Sequence, residues 1–295
     1  GIPMTTPVNR QTVEEWTRDV DFETLGGLRR LSKAVLFNPL ANYLPASMMR
    51  GLLRFGKSEL AHANWTDPGG WRSMVISYEG RPTQVADKVL VKFGSVPTAL
   101  RNRRRLGARL LARLIDRVEH EPVQALCLGA GPGHIITDAM NQTSKKVLAT
   151  LVDINSDAFE YGRQIAAEKG VTEQVRFIQG DVRDVREMLD PPPDVIKMLG
   201  ICEYIPDEQL VDIIQAVAEV APPGAAVVFN SISKAHGTDR FFRRVFGLHM
   251  IHRSPEELQA LFSEGGFGDY LAVPEPYGVY HLIVGWRRAD AAEGS

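Results

Sequence analysis

From residue 123 onward the chain alternates between two hydrophobic patterns. Short apolar runs of strand length occur at 123–128, 147–152, 175–179, 194–199, 225–231, 268–273 and 279–286. Between them, segments 133–142, 156–169, 182–189, 207–220 and 254–265 carry apolar residues at helical spacing. Strands that alternate with helices predict an α/β fold with a parallel sheet covered on both faces. The breakers fit this order. Pro191-Pro-Pro193 and Pro222-Pro223-Gly224 stand just ahead of strands, and Gly265-Gly266 ends a helix that Ser254-Pro-Glu-Glu257 opens as a capping box. Residues 266–286 read as a closing hairpin.

Residues 4–120 follow a different pattern, helical throughout and without strand alternation or an internal repeat. Thr12-Val-Glu-Glu15 predicts a helix start, segments 32–55, 83–93 and 97–118 predict helices, and Trp65–Trp71 predicts a turn. Arg101-Asn-Arg-Arg-Arg105 is the sharpest local charge feature. Leu106, Leu110, Leu111, Leu114 and Ile115 follow it at helical spacing, so the arginines are expected on the solvated face of an amphipathic helix. The expected organisation is a helical domain over 4–120, an α/β domain over 121–288 and a mobile tail over 289–295. The helical domain is expected to cover a substrate pocket or to form a homodimer contact.

The first apolar strand runs into Gly129-Ala-Gly-Pro-Gly133. Glycines at alternate positions permit a tight turn and let a ligand approach backbone N–H groups, and such a turn between strand and helix marks a nucleotide-type cofactor site. A dinucleotide site wants its third glycine where this chain has His134. Asp153 ends the second strand about 20 residues past the turn, a spacing suited to accepting from ribose hydroxyls. Asp181 ends the third strand and is placed to accept from an adenine amino group.

The pattern CLGAGPG, LVDIN, QGDV and PPPDVIKMLGICEYIPDEQL resembles the class I S-adenosylmethionine-dependent methyltransferases, over roughly residues 120–287. The resemblance implies a Rossmann-like, doubly wound seven-stranded sheet with an antiparallel last strand. It implies S-adenosyl-L-methionine as cofactor, leaving as S-adenosyl-L-homocysteine, held by Gly129, Ala130, Gly131, Gly133, Asp153, Ile154, Asp181, Val182, Leu199 and Gly200. The Asp/Asn-Pro-Pro-Tyr motif of many amine and nucleobase methylases is replaced here by Gly200-Ile-Cys-Glu-Tyr-Ile-Pro206. That departure favours the small-molecule branch of the family.

Composition adds limits. A net charge of −2 over 295 residues gives no global electrostatic case for nucleic acid or an anionic membrane. Two cysteines, Cys127 and Cys202, offer no disulfide framework, which suits a cytoplasmic enzyme, and no His/Cys/Asp group has metal-ligand spacing. No apolar run reaches about 18 residues and no signal peptide is recognisable, while Gly1-Ile-Pro3 reads as a remnant ahead of a start at Met4.

Methyl transfer asks mainly for positioning, with a base where the nucleophile is a hydroxyl or an acidic carbon. Candidates lie beyond the C-terminal strand ends: Glu203 and Tyr204 after strand four, and His236, His249 and His252 in the segment after strand five. Tyr78 is a candidate lid residue. Residues 234–250, with Phe241, Phe242, Phe246 and Met250 among arginines, predict an amphipathic pocket wall or core packing. The expected reaction is methyl transfer to oxygen, carbon or nitrogen of a small molecule with an apolar or aromatic body. The rivals are a non-methylating enzyme using the same cofactor, a cofactor-binding regulatory protein, and an RNA methyltransferase with Arg101–Arg105 as its footprint.

Overall fold

The structure, a computed structural model, describes residues 6–24, 36–55, 58–66, 70–79, 87, 95–188 and 190–289. Its centre is a seven-stranded sheet of β1 (Val123–Leu128), β2 (Val147–Asp153), β3 (Val175–Gln179), β4 (Val195–Met198), β5 (Ala226–Ile232), β6 (Phe267–Pro274) and β7 (Tyr280–Arg287). The order is β3-β2-β1-β4-β5-β7-β6, with the first five strands parallel and β7 antiparallel to both β5 and β6. Each predicted strand is present within a residue or two. The switch point of the order lies between β1 and β4, where wound sheets bind their ligands.

Strand alternation divides the core into two layers. Val123, Ala125 and Cys127 of β1 face one side, while Leu126 and Leu128 face the other. The second side is covered by α10 (Asp207–Val220) and α12 (Pro255–Glu264), and there Phe229 stacks on Phe262 at 3.6 Å between ring centroids. Burial pushes the Cys127 thiol up to about 11, so it stays a protonated core group. The first side receives α6 (Ser95–Asp116) and α7 (His134–Met140); α8 (Asp157–Glu168) and α9 (Val185–Met188) complete the crossovers.

The N-terminal elements are α1 (Arg10–Thr17), α2 (Asn38–Tyr43), α3 (Ala46–Phe55), α4 (Glu59–Thr66) and α5 (Trp71–Glu79). α1 begins ahead of the expected Thr12, because the Asn9 side chain accepts from Thr12 N–H at 2.9 Å and is the cap. The segment expected as one helix over 32–55 is interrupted at Leu44-Pro45, and its first residues, 32–35, lie outside the described residues. So do most of the helix expected over 83–93 and the tip of the turn between Trp65 and Trp71. Among the described residues of that stretch, Asp87 accepts from Glu59 N–H at 2.7 Å and Leu60 N–H at 3.2 Å, capping α4.

α6 lies within the region expected as the N-terminal domain. It packs on α7, β4, β5 and β7 as well as on α1 and α5, and Leu106, Leu110, Leu111, Leu114 and Ile115 are all buried. The solvated face expected for its arginines is corrected. Arg101 is 7% exposed, Asn102 0% and Arg103 1%. Arg101 and Arg105 pair with Glu23, and Arg104 pairs with Asp138 at 2.7 Å. Arg101, Asn102 and Arg103 face inward because their partners come from elements distant in sequence, while Arg104 is half-buried and Arg105 exposed.

After β5 the chain forms α11 (Asp239–Phe241) and a π-helical turn over Phe242–Phe246, closed by Gly247. Phe241 and Phe246 pack into the core, and Arg240 and Arg244 donate to the Asn42 carbonyl rather than to a pocket. The turn between β6 and β7 is organised by Glu275, 2% exposed, whose carboxylate accepts from Tyr277 N–H at 2.8 Å, Val279 N–H at 2.8 Å and Tyr280 N–H at 3.3 Å. Glu275→Ala strands these donors and should cost about 2–3 kcal/mol, measured as a lower urea midpoint at unchanged slope.

Candidate functional site

The turn after β1 is left-handed at each glycine, with φ of +59° at Gly129, +55° at Gly131 and +89° at Gly133. A Cβ on Gly129 would stand 2.1 Å from Ile201 Cγ2, whereas on Gly131 the nearest atom is Trp71 Cβ at 3.7 Å. Gly129 thus lets the loop after β4 close against the turn, and Gly131 opens into a cavity of about 300 Å³.

This cavity lies across the ends of β1, β2 and β4, and α5 roofs it with Trp71, Met74, Val75 and Tyr78. Gly129, Ala130, Gly131, Asp153, Ile154 and Gly200 stand on its wall. The Asp153 carboxylate is anchored at both oxygens, by Gly131 N–H at 2.9 Å and by Asn155 N–H at 2.9 Å. A carboxylate has about four lone-pair sites, so acceptor capacity remains for a ligand hydroxyl. Ile154 is 70% exposed at the rim.

Gly133, Asp181, Val182 and Leu199 are not on that wall. Gly133 leads into α7 and packs on Leu151, and Leu199 is buried against Gly107. Asp181 turns back on its own chain, accepting from Arg183 N–H at 2.9 Å and pairing with the Arg183 guanidinium, which holds its carboxyl below the usual range. Val182 begins the short turn that Asp181 caps.

The structure adds residues that the sequence reading passed over. Trp71 carries a buried indole N–H without a partner among the described residues, and its ring stacks on Tyr161 at 6.0 Å. Lys197, 6% exposed, reaches the cavity floor from β4, and burial lowers its pKa. Its signal was its place in an apolar strand, where period two puts it on the face of Cys127. An anchored carboxylate, an unpaired donor and a buried cation make a set that fits a ligand bearing both hydroxyls and a carboxylate, as S-adenosyl-L-methionine does.

A second, smaller cavity of about 50 Å³ adjoins the first and shares Met74 and Tyr204 with it. Its polar centre is Arg103. One guanidinium nitrogen lies 3.6 Å from Glu203 Oε1, another donates to the Tyr78 hydroxyl at 2.8 Å, and the group sits 4.8 Å over the Tyr280 ring. Leu60, Phe242, Leu248 and Met250 supply apolar walls. Burial pushes the Glu203 carboxyl up, and the Arg103 charge opposes that rise. Arg103 too had a readable signal, since it shares the helical stripe of Leu106 and Leu110.

Of the expected bases, Glu203 and Tyr204 stand at this second cavity. The three histidines do not line either cavity. His236 is fully buried and stacked on His252 at 5.4 Å, and His249 is exposed. The reason is the course of residues 234–252, which turns Phe242, Leu248 and Met250 toward the cavity and the imidazoles away from it.

A family model described as "Putative methyltransferase" matches residues 97–287. The chain belongs to this methyltransferase family. The match begins at the start of α6, in agreement with its packing on the sheet. The curated tRNA 5-carboxymethoxyuridine methyltransferase of Escherichia coli K12 is 29% identical over 42% of this chain and 46% of its own. The chain spans less than half the length of the curated relatives it matches. Two solved structures are similar in fold. One, a possible exported protein from Bordetella parapertussis, is 14% identical with a TM-score of 0.60 over 95% of this chain and 94% of its own. The other is magnesium protoporphyrin IX methyltransferase from Synechocystis PCC 6803 with bound S-adenosyl-L-homocysteine. It is 14% identical with a TM-score of 0.55, over 81% of this chain and 99% of its own. S-adenosyl-L-methionine is the cofactor to be expected in a methyltransferase of this fold. No helix among the described residues is long and apolar enough to cross a membrane.

Two measurements probe the cavity. Asp153→Ala should weaken S-adenosyl-L-methionine binding by about 1–3 kcal/mol in calorimetry, and unchanged affinity would place the ribose elsewhere. His134 lines the same cavity, and burial, with Arg104 and Lys169 nearby, lowers its pKa to about 3. The unfolded chain therefore binds a proton that the folded chain refuses. His134's contribution is complete above its unfolded value of 6.5 and is lost as pH falls toward 3. Between pH 6.5 and 5 the wild type should lose about 2 kcal/mol through this group, and His134→Gln should lose correspondingly less in urea titrations.

Proposed function

We propose that the protein transfers a methyl group from S-adenosyl-L-methionine to a small organic acceptor. The observation that carries the reading is the pair of adjoining cavities that share Met74 and Tyr204, one built around the glycine turn and Asp153, the other around Arg103 and Glu203. When bound, the cofactor supplies an electrophilic methyl group and leaves as S-adenosyl-L-homocysteine. Asp153 would receive ribose hydroxyls, and Lys197 would offer its buried amino group to the carboxylate of the methionine part.

In the acceptor cavity Glu203 takes the proton that a hydroxyl or acidic carbon gives up on methylation. Burial raises its pKa, which makes its carboxylate a stronger base than an exposed one, and the Arg103 charge opposes that rise. Arg103, held by Tyr78 and Tyr280, fixes the carboxylate in position. The apolar walls favour an acceptor with an apolar body, and α4 and α5 lie over it, which keeps water from the reacting atoms.

The tRNA-modifying relative favours RNA as the second reading. Against it, Arg101, Arg103 and Arg104 are taken up by Glu23, Glu203 and Asp138, which leaves Arg105 as the exposed arginine of the run. Protein incubated with methyl-tritiated cofactor should label a fraction of a small-metabolite extract and leave total RNA unlabelled. Labelled RNA with unlabelled metabolites would overturn the assignment. For an oxygen or carbon acceptor, Glu203→Gln should lower kcat by about 10²–10⁴ with cofactor affinity retained. Unchanged kcat would remove Glu203 as base.

A further inference from the structure

The segment between β5 and α12 brings together three side chains whose sequence spacing suggests no common ligand. His236 Nε2 and His252 Nε2 face one another at 3.2 Å, and Asp239 Oδ1 lies 3.9 Å from His252 Nε2. All three atoms lie within 4.8 Å of one another. They form no part of the wall of either cavity described above.

Their surroundings dispose them toward a cation. Asp239 Oδ1 is buried and accepts no hydrogen bond among the described residues, while Arg243 donates to the other oxygen at 3.1 Å. A buried carboxylate oxygen without a donor is costly, and a cation between it and the imidazoles relieves that cost. The Met250 carbonyl accepts from the His252 ring, which helps to fix the orientation of the imidazole. His236 Nδ1 accepts from the Thr238 N–H at 3.1 Å and lies 3.1 Å from the Thr238 hydroxyl, so coordination through Nε2 moves the ring proton to Nδ1, where the hydroxyl accepts it and the N–H bond is given up.

The spacing also suits a tetrahedral ion. Ligand atoms at about 2.0–2.1 Å from zinc stand roughly 3.3 Å apart. The nitrogen pair is already near that value, and the carboxylate oxygen, 3.9 Å from His252 Nε2 and within 4.8 Å of the His236 ligand atom, has to move inward to reach it.

We propose that His236, Asp239 and His252 bind a zinc-like divalent ion, with water in the fourth position. The ion ties the entrance of the segment, at His236, to its exit, at His252. The stretch so closed carries Phe242, Leu248 and Met250, three walls of the second cavity. The site is therefore structural, and its effect on any acceptor passes through those walls.

The test is zinc binding by the whole chain, measured against a chromophoric chelator, with cobalt(II) as a spectroscopic substitute. Wild type should bind one equivalent and give the visible bands of tetrahedral cobalt. His252→Ala should weaken binding by at least about 100-fold, as should the near-isosteric Asp239→Asn, whose fold circular dichroism verifies. His249→Ala, an exposed histidine of the same segment, should bind as wild type does. Absence of stoichiometric zinc in the folded wild type would overturn the proposal and leave a hydrogen-bonded imidazole pair. So would wild-type affinity in both Asp239→Asn and His252→Ala.

Discussion

A guanidinium with 1% exposure cannot be hydrated, so the structure around Arg103 has to supply everything that water would. Three partners from different elements supply most of this, with Nε left without a partner among the described residues. Glu203 comes from the loop after β4, Tyr78 from α5, Tyr280 from the start of β7, and Arg103 itself from α6. Removing one partner of such a buried pair commonly costs 3–5 kcal/mol, because the other charge is left alone. The node therefore locks the helical roof, the long helix and two strands into one arrangement. Gly200 follows from it as well. Its φ is +82°, and a Cβ there would meet Arg103 Nη2 at 3.1 Å.

That constraint also couples the two cavities. α5 roofs both of them, with Trp71 and Tyr78 over the glycine turn and Ser73 and Ser77 over the second cavity. Met74 stands between, as does Tyr204, which neighbours Glu203 in sequence. A shift of α5 large enough to admit a ligand to one cavity must disturb the Tyr78 bond to Arg103, and with it the setting of Glu203. The N-terminal helices are thus part of the site rather than a separate cover.

The sheet was readable because its cause is local. Apolar runs of strand length, punctuated by proline and glycine, placed all seven strands, and the glycine turn announced its own φ angles. Asp153 was readable because the end of β2 is set by the same pattern. Asp181 ends β3 just as clearly, yet its carboxylate is taken by Arg183 two residues on, a choice between partners that spacing does not make. Arg101–Arg105 misled for a similar reason. Five polar residues in a row resemble a solvated face until Glu23, Asp138 and Glu203 arrive from elsewhere in the chain.

By itself, then, the sequence determined the wound sheet, its closing hairpin and the place of the glycine turn, since backbone sterics and hydrophobic period act over a few residues. Tertiary structure alone decided which charges are buried. It put Arg103 and Lys197 inside, turned His236 and His252 toward Asp239 and away from the cavities, and made α6 part of the sheet layer. The physical reason is that a charge enters the interior only where partners from distant segments meet it. Those meetings exist once the chain has closed on itself.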